Sequence, residues 1–81
     1  MKTFTFETTS ADILLDVMRA IEEAAQAQFI DIPEGKEEEF ADDCSGLIEL
    51  SFELHGIAPR DYLQKVQTIV LDTAEIYGYY L

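Results

Sequence analysis

Gly46-Leu47-Ile48-Glu49-Leu50-Ser51-Phe52-Glu53-Leu54-His55-Gly56 is the stretch on which the fold turns. Read as a helix, it extends a stripe of Phe40, Cys44, Leu47, Ile48 and Leu54, but leaves Leu50 and Phe52 facing water. Read as a strand, Ile48, Leu50, Phe52 and Leu54 alternate with Glu49, Ser51, Glu53 and His55, and Gly46 and Gly56 bracket the run. Every position from 48 to 55 fits a period of two, so a strand is predicted over about 47–55.

Working back from it, residues 34–45, EGKEEEFADDCS, are the compositional outlier. Acidic neighbours repel one another, which predicts an open, solvated loop with at most a helical turn placing Phe40 and Cys44 together. Phe29-Ile30-Asp31-Ile32, stopped by Pro33, reads as either a short strand or a helix exit. Before it, residues 11 to 28 contain no Gly or Pro. Leu14, Val17, Met18, Ile21, Ala25 and Gln28 share one helical side there, opposite Asp12, Asp16, Arg19 and Glu23. Thr9 with Asp12 satisfies a capping pattern, and Ser10 is an equally good N-cap. At the N-terminus, Phe4 and Phe6 alternate with Thr3, Thr5 and Glu7, as in a half-buried strand.

Downstream, Pro59 suits a first helical position, and Asp61 follows in the first turn. Tyr62, Val66, Ile69, Val70, Thr73, Ile76, Tyr77 and Tyr80 then cover one side of a helix, with Leu71 on the polar side and Gly78 near its end. The predicted order is β-α-(β)-β-α. It forms a small two-layer α+β sandwich, with two helices on one face of a two- to three-stranded sheet, in a single domain over 1–81. The second main strand is longer than the first, so part of its edge is unpaired, which invites a homodimer.

Charge restricts the function. Five Lys and Arg stand against 17 Asp and Glu, a net charge of −12 over 81 residues, yet 48% of the chain is hydrophobic, enough for a core. Five scattered bases cannot form a phosphate-binding patch, which argues against direct nucleic-acid or anionic-membrane binding. No apolar run reaches the ~18 residues of a span, and MKTFTFETT lacks the apolar core of a secretory signal, so a cytoplasmic location is expected. The lone Cys44 excludes an internal disulfide, and Asp42 and Asp43 beside it disfavour a thiolate; a half-buried small hydrophobe is expected.

The candidate chemistries are thin. On a strand, His55, Glu53 and Glu49 would share a face and could hold a metal, but one imidazole at a strand end is weak support. Asp31, Glu34, Glu37, Glu38, Glu39, Asp42 and Asp43 are hard oxygen ligands without the order of a calcium loop. No glycine-rich phosphate loop is present. No cofactor, metal or enzymatic activity is therefore expected.

The expectation is a small acidic inhibitor that occupies a basic, nucleic-acid-binding surface of a partner protein. It would act as a DNA mimic, in the style of the anti-restriction and anti-CRISPR proteins of phages and mobile elements. The expected contacts are Glu34, Glu37, Glu38, Glu39, Asp42 and Asp43, then Glu49 and Glu53. The alternative is a self-associating structural or regulatory module. It would use Tyr77, Tyr79, Tyr80 and Leu81, or the exposed strand edge.

Overall fold

Residues 46–56 do not form a strand. The computed structural model describes residues 10–81. They form three helices, α1 (Ser10–Gln26), α2 (Glu37–His55) and α3 (Pro59–Tyr77), each packed against the other two. Among the described residues there is no sheet; β-type pairing is confined to an isolated antiparallel bridge between Ile30 and Tyr80. The α+β sandwich is therefore replaced by a three-helix bundle. The predicted strand over Thr3–Glu7, with its Phe4 and Phe6, and the Thr9 cap lie outside the described residues.

Two properties of α2 explain the reversal. Phe40, Cys44 and Ile48 recur every fourth residue and are all fully buried, with Phe52 half-buried on the next turn. That row starts in the acidic segment, so a window beginning at Gly46 sees only its second half. The strand period would have put Ile48, Leu50, Phe52 and Leu54 on one face, whereas the helix turns Ile48 and Phe52 inward and Leu50 and Leu54 outward. The three Leu and two Glu between Gly46 and Gly56 are also good helix formers.

The segment expected to be an open loop is a tight turn followed by the first turns of α2. Lys36 N–H donates to the Pro33 carbonyl at 3.0 Å, and Gly35, at φ 88°, makes the bend. Glu37, Glu38 and Glu39 then occupy the first helical turn. N–H groups without an intrahelical partner and the positive end of the helix dipole favour carboxylates there. Local repulsion is thus offset by placement, and Phe40 and Ala41 anchor the turn in the core.

α1 and α3 end in the same way. Gln28 N–H bonds Ala25 and Phe29 N–H bonds Ala24 (3.1 and 2.9 Å). Gly78 N–H bonds Glu75 and Tyr79 N–H bonds Ala74 (3.1 and 2.7 Å). Both are Schellman closures with a left-handed residue, Gln28 at φ 64° and Gly78 at φ 81°. The two exits then pair: Asp31 N–H donates to the Tyr79 carbonyl at 2.8 Å and Leu81 N–H to the Phe29 carbonyl at 2.9 Å. Residues 29–32 are therefore a helix exit held by one bridge, not a strand of a sheet.

The core is a single cluster. Ile13, Val17 and Ala20 of α1 meet Phe40, Cys44 and Ile48 of α2, and Tyr62, Val66, Val70 and Ala74 of α3. Phe40 packs edge-on to Tyr77, with ring centroids 5.7 Å apart, and lies 5.6 Å from Tyr79. α3 begins at Pro59, as the sequence predicts. Its apolar side is rotated near the end, where Ala74 is buried and Ile76 is 80% exposed.

Candidate partner-binding groove

The inward stripe of α1 is Ile13, Val17 and Ala20, rotated by about one position from the predicted stripe of Leu14, Val17, Met18, Ile21, Ala25 and Gln28, of which only Val17 is fully buried and Ala25 and Gln28 are exposed. Leu14, Met18 and Ile21 form the wall of a groove. Leu14 and Ile21 are half-buried, and Met18 is 52% exposed. Across from them, Ala41 of α2 completes an apolar floor, and the groove encloses about 600 Å³, a volume typical of binding clefts.

Carboxylates edge this groove on both sides: Glu22 on α1, and Glu37, Glu38 and Asp42 on α2. Glu37 turns back, and its carboxylate accepts the Gly35 N–H at 3.1 and 3.3 Å. Glu22 accepts a hydrogen bond from Gln26 at 3.3 Å on the exposed side. The ion pair formed by Arg60 and Asp61, at 3.9 Å, lies on α3 and does not reach the groove.

All eight acids expected from the sequence to bind a partner are exposed. Glu37, Glu38 and Asp42 line the groove. Asp43 instead borders a shallow depression with Gly46, Leu47 and Ile76. Glu34, Glu39, Glu49 and Glu53 line neither. The helix keeps Glu49 and Glu53 on one face, a turn apart, but turns His55 to a different side, so the expected shared face of all three does not form. Among the described residues, no three His, Cys, Asp or Glu side chains gather as a metal site.

Cys44 is fully rather than half buried. Burial pushes its thiol from 9.0 up to about 11, Asp43 adds to the rise, and a hydrogen bond with Thr73 pulls the other way. The strand edge proposed for self-association does not exist, since 46–56 is helical. Of the C-terminal residues, Tyr79 is half-buried against Phe40 and Tyr77, while Tyr80 and Leu81 are exposed. The helical projection that placed Tyr80 inward and Tyr79 outward fails because Gly78 ends the helix first.

The groove wall and Glu22 were not singled out by the sequence reading. The signal was present: apolar residues at 13, 14, 17, 18, 20, 21 and 24 make a stripe wider than one packing contact needs. No helix among the described residues is long and apolar enough to cross a membrane. No family model, curated protein or solved structure matches the chain.

Proposed function

We propose that this is a small acidic binding protein that covers a basic surface of another protein, in the manner of a DNA-mimic inhibitor. One observation carries the reading: carboxylates flank an exposed apolar groove. Apolar contact at the centre with charge at the rim is the ordinary anatomy of a protein interface. Sixteen acids against four bases fall within residues 10–81. A field of that sign repels nucleic acid and draws in basic proteins, which chiefly carry their positive patches to hold phosphates. Inhibitors of phage and mobile-element origin that block nucleic-acid enzymes are the class this suits.

The test is capture with competition. Immobilised full-length protein is exposed to lysate and then eluted, in parallel, with rising salt or with duplex DNA. Basic nucleic-acid-binding proteins released by both eluents support the reading. Retained proteins that resist both salt and DNA would overturn it.

A further inference from the structure

We infer that the groove between α1 and α2 receives an amphipathic, lysine- or arginine-rich helix of the partner; this rests on the function proposed above and names how that site is filled. Leu14, Met18 and Ile21 stand at i, i+4 and i+7 along α1. They present apolar contacts over two turns, roughly 10 Å at 1.5 Å per residue. That is the repeat with which an apolar helix face meets a groove. Met18 is half-exposed at the centre, and its unbranched thioether adapts to a range of apolar anchors.

Charge selects among occupants. Glu22 on one bank, with Glu38 and Asp42 on the other, would flank a docked helix along both edges. Basic side chains beside the apolar face of such a helix would meet carboxylates on either side. A second copy of this chain, at net charge −12, would bring like charge to the same place. Anionic lipid and nucleic acid are disfavoured for the same reason.

The test titrates full-length protein, carrying ¹³C-methyl methionine, with a synthetic helical peptide of about 16 residues that has Leu on one face and Lys on the flanks. Two controls carry the same charge: a scrambled version with no apolar face, and oligolysine. The Met18 methyl signal, assigned with Met18→Leu, should shift saturably. The scrambled peptide should bind at least about tenfold more weakly. Glu38→Gln with Asp42→Asn should lower affinity and flatten its salt dependence. Asp72→Asn with Glu75→Gln, on α3, should leave it within about twofold. Circular dichroism confirms that each variant is folded. Equal binding of all three peptides with an unmoved Met18 signal would overturn the groove assignment while leaving an electrostatic partner in place. Failure of all three peptides to bind would overturn both.

Discussion

The Tyr62 hydroxyl donates a hydrogen bond to the Asp16 carboxylate at 2.7 Å, joining α3 to α1 across 46 positions of sequence. Tyr62 is buried and Asp16 is half-buried. The bond therefore turns a polar position of α1 inward, so Asp16 belongs to the helix contact and not to the solvated face on which periodicity places it.

Tyr62→Phe should lower unfolding stability by about 1.5 kcal/mol, the scale of a hydrogen bond to a charged acceptor in a partly screened site. Urea denaturation of the variant measures this. An unchanged midpoint would show that water replaces the hydroxyl without loss.

Alkaline pH should destabilise the bundle. Burial raises the Cys44 thiol from 9.0 to about 11. Burial, and then Asp16, hold the Tyr62 phenol well above its ordinary 10.0. Both groups are more easily ionised when unfolded, so their contribution is complete below pH 9 and is lost as pH rises through the folded values. Melting temperature should fall progressively above pH 9. Cys44 should react slowly with a thiol reagent in native buffer and quickly in urea.

Two backbone positions are suboptimal for stability. Gly46 lies inside α2, and a methyl group there would meet nothing within 4 Å. Gly46→Ala should stabilise by about 0.5–1 kcal/mol. Gln28 holds a left-handed conformation that glycine adopts without cost, so Gln28→Gly should stabilise by about 1 kcal/mol. Denaturant midpoints of the two variants check both values.

Glu38 and Asp42 are one helical turn apart on α2, an arrangement of like charges that costs a few tenths of a kcal/mol. Glu38→Gln with Asp42→Asn relieves that repulsion but also removes a carboxylate from the first turn of α2, so the melting temperature should stay nearly unchanged. Added salt should raise it in the native protein more than in the variant, since screening relieves the same repulsion. A less stable variant would mean that these acids serve the fold.

The sequence reveals both flanking helices and the correct start of α3, because Pro59, Asp61 and the apolar period act locally. It misleads over 34–56 for a physical reason: alternation at 48–55 is a local pattern, while the row of Phe40, Cys44, Ile48 and Phe52 is made meaningful only by α1 and α3. Reading charge as repulsion hid the fact that Glu37 to Glu39 sit at a helix start, where acids are favoured. Charge alone singled out Glu37, Glu38 and Asp42, which the structure places beside the groove. The apolar half of the groove was not legible, because Leu14, Met18 and Ile21 look like core until a one-residue rotation of α1 leaves Leu14 and Ile21 half-buried and Met18 exposed.

Partner binding is the role assigned to Glu38 and Asp42 at the edge of the groove. Its most direct test is the affinity of a captured basic partner against salt concentration, for the native protein and for Glu38→Gln with Asp42→Asn. Affinity of the native protein should fall steeply as salt rises. The variant should bind more weakly and with a shallower slope, at similar stability. Identical affinity and slope for the two proteins would contradict that role.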